Sequence, residues 1–314
     1  MTIPPAMAPT PTAGSLLEET ASALASRREA HWVVAKALGV DASQLYATVD
    51  LAAPAAAVEE VRAMAARRLS GEPIQYVLGT WAFRTLEVVV DPRVLIPRPE
   101  TEVVVEVALD ELRREAGHLA GRPREVAVDA GTGSGVIALS LAVETAAAPD
   151  ACREIDVWAT DESGDALDVA RVNLSVLERR NASAAGRVRL ARGSWFAALP
   201  DALRGHVHVI ASNPPYVGAD EYPGLDAGVR QYEPIGALVA GPTGREALEA
   251  LLDGARSWLC DAGSLVLEIA PRHADFLIAR AADAGYEDVR VMPDLAGRDR
   301  VLVARVTPRD GASG

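Results

Sequence analysis

From residue 126 onward the chain repeats one pattern: a short, continuous apolar run followed by a longer stretch with helical periodicity. Strand candidates of this kind fall at 126–129, 155–160, 188–190, 207–211 and 265–269. They do not alternate polar with apolar residues, as a strand with one wet face does. Continuous apolar strands are buried on both faces, which is what a mostly parallel sheet covered by helices requires. Two further runs, 289–292 and 301–306, are placed as a final antiparallel pair that closes the sheet. The pattern predicts an α/β fold, a doubly wound sheet of seven strands. With only 4% aromatic residues, its core must be built from Leu, Val, Ile and Ala.

The first part of the chain has a different texture. Residues 16–69 are Ala-rich with helical spacing, broken at Gly39 and by turn signals near Asp41 and Pro54, which predicts a small helical bundle. Two strand-like runs, 85–90 and 94–96, joined across Asp91-Pro92, predict a β-hairpin. Pro97-Arg98-Pro99 ends it, and a helix with acids in its first turn starts at Glu100. Residues 1–14 are rich in Pro, Thr and Ala, with neither a basic start nor an apolar segment, and read as a disordered lead-in and not a signal peptide. The expected organisation is a lead-in at 1–14, a helical substrate-docking domain at 15–80, a hairpin linker at 81–97, the α/β domain at 98–308 and a tail at 309–314.

Bulk properties narrow the function. Acidic residues outnumber basic ones, 44 to 31, for a formal net charge of −13. Proteins that grip nucleic acid carry a basic face, because neutralising phosphates supplies much of the affinity. Here the arginines are dispersed, and a protein or small-molecule substrate is expected. Two distant cysteines and five scattered histidines offer neither a disulfide framework nor a metal site. No apolar run is long enough to span a membrane, and a cytoplasmic location is expected.

Two motifs carry the chemistry. The first is a strand running through Asp129-Ala130 into Gly131-Thr132-Gly133-Ser134-Gly135 and the start of a helix. Glycines let backbone approach a ligand closely, and a helix N-terminus offers free N–H groups. A dinucleotide fingerprint has its third glycine one residue later. The variant here resembles motif I of class I methyltransferases, in which the loop holds the methionine end of S-adenosylmethionine. An acid closing the next strand is placed to chelate two vicinal ribose hydroxyls. Asp161 stands there, with Glu162 as the alternative. The loop-to-acid distance exceeds the usual spacing, and the surplus is assigned to an insertion at 144–152. After the third strand, Ser194 stands where related enzymes often carry an acid toward adenine. Trp195 is placed either as a wall of the base site or as a core residue.

The second motif is Asn213-Pro214-Pro215-Tyr216, directly after the strand at 207–211. An amide or aromatic amine nitrogen is a poor nucleophile, because its lone pair is delocalised. It must be held in line with the methyl donor while positive charge develops on it. The Asn213 side-chain oxygen and the Pro214 carbonyl can accept the two N–H bonds of an NH₂ group. Two prolines leave the turn little slack, and Tyr216 can pack on a flat substrate group.

The same turn serves enzymes acting on adenine, guanine and glutamine. Three further segments choose among them: Gly71-Glu72-Pro73-Ile74-Gln75-Tyr76, Leu95-Ile96-Pro97-Arg98-Pro99-Glu100-Thr101-Glu102, and Arg230-Gln231-Tyr232-Glu233-Pro234-Ile235-Gly236-Ala237-Leu238. Together with the two motifs they resemble the peptide chain release factor glutamine methyltransferases of the PrmC/HemK type, from about His31 to Val306. The resemblance implies a class I methyltransferase domain with a small N-terminal helical domain and a β-hairpin linker. It implies transfer of a methyl group from S-adenosylmethionine to N5 of the glutamine in the Gly-Gly-Gln motif of release factors, with no direct nucleic-acid or membrane partner. It places Gly131, Thr132, Gly133, Ser134, Gly135, Asp161, Trp195 and Asn213 around the cofactor, and Asn213, Pro214, Pro215 and Tyr216 around the substrate glutamine, with no metal. It also places Arg98, Glu100 and Thr101 beside the cofactor's methionine end. The loop 217–232 is expected to close over the glutamine. The alternatives are a glutamine methyltransferase of a ribosomal protein, a DNA or RNA amino-methyltransferase, and a non-catalytic cofactor-binding protein.

Overall fold

The structure, a computed structural model, describes residues 10–116, 125–147 and 155–306. Along the chain come α1 (Ala13–Leu24), α2 (Arg27–Leu38), α3 (Ala55–Leu69) and α4 (Ile74–Leu78), then the hairpin strands β1 (Thr80–Phe83) and β2 (Leu86–Val89) and helix α5 (Pro99–Ala116). The alternating part follows as β3 (Glu125–Ala130), α6 (Val136–Ala147), β4 (Ile155–Asp161), α7 (Gly164–Arg180), α8 (Ala182–Ala185), β5 (Val188–Arg192) and β6 (Val207–Ser212). Beyond it lie β7 (Val217–Gly218), α9 (Ala227–Tyr232), β8 (Val239–Gly241), α10 (Glu246–Ala255), β9 (Leu259–Glu268), α11 (Ala274–Asp283), β10 (Glu287–Pro293) and β11 (Asp299–Arg305). The chain divides into two compact units, one reaching to Thr80 and including α9, the other made of the remainder from Trp81.

In the helical unit, Leu16, Leu17, Val33, Val34, Leu45, Val61 and Ile74 form the buried core. Sequence punctuation sets the helix ends. Ser26 caps α2 by accepting from the Glu29 N–H, and Gly39 ends it with φ +65°. The boundary expected at Gly14 is corrected. Thr12 caps α1 through the Ser15 N–H at 3.1 Å, Ala13 is buried, and the N–H groups of Ala13 and Gly14 bond to the carbonyls of Leu51 and Val49. These three residues carry too little apolar pattern to be read, but their bonds and the small buried side chain of Ala13 tie them into the unit. The lead-in at 1–9, the part of the expected insertion at 148–152 and the tail at 309–314 lie outside the described residues.

The second unit holds the seven-stranded sheet, ordered β10-β11-β9-β6-β3-β4-β5. Strands β3, β4, β5, β6 and β9 run parallel, and β11 and β10 are added antiparallel. Each of the seven expected runs falls on one of these strands. Strand β9 begins earlier than expected, because the turn-like Asp261-Ala262-Gly263 is absorbed into it. The pairing of β6 with β9 shifts register there, between Val207 and Val209, and Ala262 has φ +64°. All six residues of β6 are buried. Its Ile210 packs in one cluster with Val128, Leu265, Leu267, Leu248, Leu251 and Trp258. Among the described residues no helix is long and apolar enough to cross a membrane.

Two local expectations are corrected. The hairpin forms, but between 80–83 and 86–89, with Arg84 at its tip in the left-handed region, φ +50°. The run 94–96 is not a strand. Val94 and Ile96 are buried, which explains their apolar character, but their backbone is used otherwise: the Val94 N–H closes a turn onto Asp91, and the Ile96 N–H donates to Glu233. The expected insertion at 144–152 begins inside α6, where Glu144 receives both ends of the Arg84 guanidinium at 2.6 Å.

Candidate active site

Strand β3 sits between β4, which continues the sheet one way, and β6, which continues it the other. Ligands of open α/β sheets bind at the carboxyl ends of strands at such a reversal. Both sequence motifs lie there, the glycine loop after β3 and the Asn-Pro-Pro-Tyr turn after β6.

The three loop glycines all have positive φ, +77° at Gly131, +55° at Gly133 and +89° at Gly135. At Gly131 space is limiting as well, because an added Cβ would lie 3.2 Å from Cζ3 of Trp195. The loop is anchored by its own backbone. The N–H groups of Gly131 and Thr132 donate to the Thr160 carbonyl, and that of Gly133 donates to Asp161 Oδ2 at 2.9 Å. Asp129 closes β3 behind the loop, where its Oδ2 accepts from the Thr132 hydroxyl at 2.5 Å and the Ala138 N–H at 3.0 Å. Burial, with the nearby Asp161 charge, pushes its carboxyl up to about 7. Asp161 closes β4; its other oxygen accepts from the Ser163 N–H at 2.9 Å, and burial raises its pKa too.

The second turn is held by side chains. Ser212 bonds the Ala130 carbonyl at 2.5 Å, stitching β6 to β3 just below the two motifs. Asn213 donates from Nδ2 to Thr101 Oγ1 at 2.9 Å, and Thr101 donates to Glu268 Oε2 at 2.6 Å. Tyr216 donates its hydroxyl to Glu268 Oε1 at 3.2 Å, while its backbone carbonyl accepts from Arg272 at 2.9 Å. Thr101 and Glu268 are buried, and burial raises the Glu268 carboxyl above its ordinary value. The same burial, with the Glu268 charge beside it, raises the Tyr216 hydroxyl, which therefore stays a donor.

Between the turns lies a cavity of about 350 Å³. Of the expected residues, Gly131, Thr132, Gly133, Ser134, Asp161, Trp195, Asn213 and Pro215 line it, joined by Thr101, Glu162 and Ser194. Gly135, Pro214 and Tyr216 are not part of the lining. Trp195 has both roles considered for it: its ring faces the cavity and packs on the core, while its carbonyl accepts from the Thr160 hydroxyl. The rim includes Leu95 and Pro97 on one side and Pro234 and Gly236 on the other. These two segments are joined by an ion pair of Arg98 with the buried Glu233, 2.5 Å apart. Arg98 and Glu100 thus serve in salt bridges, Glu100 with Arg298 at 3.2 Å, and only Thr101 of the three reaches the cavity wall.

Glu268 and Glu233 were not singled out by their sequence setting. Glu268 ends an apolar strand, where a lone acid reads as a helix cap or a solvated end. The available signal was its position at the carboxyl end of a central parallel strand. The loop expected at 217–232 contains a short strand and a helix: β7 pairs in parallel with β8, and α9 belongs to the helical unit.

Comparison with known proteins shows the family. The PrmC N-terminal domain family matches residues 13–79. A release factor glutamine methyltransferase of Rhodopirellula baltica is 35% identical over 278 residues, 88% of this chain and 88% of the relative. That of Burkholderia pseudomallei is 39% identical, covering 88% of this chain and 91% of its own. One from Xylella fastidiosa is 39% identical over 89% of this chain and 93% of its own. With a seven-stranded class I sheet, an N-terminal helical unit and relatives matched over nearly their full length, the chain belongs to the release factor glutamine methyltransferase family.

Proposed function

We propose that this protein transfers a methyl group from S-adenosylmethionine to the side-chain N5 of the glutamine in the Gly-Gly-Gln motif of a peptide chain release factor. The observation that carries the reading is Asn213: it lines the cavity beside the glycine loop, with its amide nitrogen tied to Thr101. The cavity suits the cofactor in size and chemistry, since small-molecule sites begin near about 300 Å³ and combine apolar walls with a few placed polar groups. Gly131 to Ser134 offer close backbone approach, Asp161 an acceptor for hydroxyl groups, and Trp195 a flat wall; these residues would hold the cofactor. When bound, S-adenosylmethionine supplies an electrophilic methyl group.

The chain's own residues prepare the nucleophile. Asn213 accepts an N–H of the substrate amide, which orients the nitrogen and favours the positive charge that develops on it. Pro214 and Pro215 keep that acceptor from drifting. The hydroxyl of Tyr216 is committed to Glu268, leaving its ring as the part available to a flat side chain. No strong base is needed, because the nitrogen's proton becomes acidic as the new bond forms.

The test is incubation of purified release factor with enzyme and S-adenosylmethionine, followed by peptide mass spectrometry. One methyl group on the Gly-Gly-Gln glutamine is the expected product. Methylation only of ribosomal proteins or of nucleic acid would overturn the reading.

A further inference from the structure

A threonine hydroxyl has one hydrogen to give, and in this site its direction is determined. Thr101 Oγ1 donates to Glu268 Oε2 at 2.6 Å, so its one hydrogen points to Glu268. Asn213 therefore meets a lone pair at Thr101 and must present its NH₂ end, in agreement with the 2.9 Å contact from Nδ2. The other oxygen of Glu268 accepts from the Tyr216 hydroxyl. The chain of bonds has a single polarity, starting at a carboxylate buried at the end of β9 and finishing at an amide on the cavity wall.

We propose that Glu268 and Thr101 are positioning residues that fix the direction of the Asn213 amide, so that its oxygen faces the substrate and the site selects glutamine over glutamate. An amide turned the other way would set NH₂ against NH₂, and would instead welcome a carboxylate. The inference rests on the function proposed above and adds the origin of its selectivity. A site built to bond a particular polar group rejects the analogue that lacks it, because its own buried groups are then left unpaired.

The test uses Thr101→Val, which keeps the shape and removes the hydroxyl, and Thr101→Ser, which restores it. Both are compared with the wild-type enzyme for turnover of a Gly-Gly-Gln peptide, competitive inhibition by the matching Gly-Gly-Glu peptide, cofactor affinity and thermal unfolding. Thr101→Val should lower kcat by about 10–100-fold, the usual cost of losing a group that orients a reacting one. Its preference for the glutamine over the glutamate peptide should narrow by about 10-fold or more. Thr101→Ser should recover most of both. A Thr101→Val enzyme that is slower but keeps the wild-type preference would overturn the inference, since a purely structural role weakens both peptides alike. A wild-type enzyme that methylates no glutamine peptide would overturn the proposed function instead. The amide direction has its own check in the nuclear Overhauser contacts of the Asn213 Nδ2 protons. Contacts to Thr101 in the wild-type protein support it, and their absence overturns the inference whatever the substrate.

Discussion

The two turns that face the cavity follow neighbouring parallel strands and solve opposite problems. The glycine loop after β3 bends through three positive-φ residues and is tied by main-chain bonds to Thr160 and Asp161. The turn after β6 uses prolines to restrict its backbone, and its working group is a side chain held from behind by Thr101 and Glu268. A backbone surface suits a ligand that must be gripped along its length. A single aimed amide suits a nitrogen that must be oriented. The difference teaches that damage to the two turns should separate: affinity for the cofactor in one, rate of transfer in the other.

The largest effect should come from Asn213→Ala. Losing one positioned polar contact typically costs about 10²–10³ in rate, or about 3–4 kcal/mol. Cofactor affinity should change far less, because the glycine loop and Asp161 are untouched. Single-turnover methylation beside cofactor titration measures both. A folded variant with near wild-type turnover would reduce the turn to a structural feature and remove the comparison.

Asp161→Ala should act on the other side. The carboxylate both faces the cavity and accepts the Gly133 and Ser163 N–H groups, so its loss removes a ligand contact and loosens the loop. Cofactor binding should weaken by about 1–3 kcal/mol, with kcat at saturating cofactor much less affected. Calorimetry showing unchanged affinity would transfer the role to Glu162. Gly131→Ala should be milder. A side chain at φ +77° costs about 1–2 kcal/mol of stability, and the new methyl group would press on Trp195. A lower melting temperature and weaker cofactor binding are expected, with the rate of transfer at saturation retained. If transfer falls while affinity holds, the two turns are not divided as described.

Much of this was legible in the sequence because it rests on local rules. Continuous apolar runs marked the parallel strands, and three glycines at a strand end marked a backbone that other residues cannot follow. The Asn-Pro-Pro-Tyr motif marked the turn after β6 that faces the cavity. What escaped notice depends on residues far apart in the chain. Glu268 lies 167 positions from the hydroxyl it accepts, and Glu233 lies 137 from the Ile96 N–H. No spacing rule links them; only the folded chain brings each pair together. The run 94–96 was misread because burial makes a segment apolar without saying where its N–H groups go. The start of α1 was missed because Thr12 caps by geometry, and one capping residue among several threonines and prolines carries no periodicity.

The smallest expected effect on turnover, and the sharpest on the glycine loop alone, is that of Asp129→Asn. Asp129 sits behind the loop, fully buried, with Oδ2 accepting two bonds and Oδ1 without a hydrogen-bond partner. That environment penalises the charge and raises the carboxyl from an ordinary 3.8 to about 7. Between those values the folded protein holds a proton that the unfolded chain has released. Folding is therefore favoured by acid: the contribution is complete below pH 3.8 and is lost as pH rises through about 7, with a slope of at most about 1.4 kcal/mol per pH unit. Asparagine has the shape of the protonated acid, with an oxygen for Thr132 and Ala138 and an NH₂ group in place of the protonated oxygen. It should keep the loop in place while removing this titration. Urea unfolding of both proteins at pH 5 and pH 7 provides the check, with the wild-type protein losing more stability over the interval than the variant. Parallel stability curves would mean that the carboxyl is ionised throughout, and that the loop is braced by a charge and not by a neutral acid.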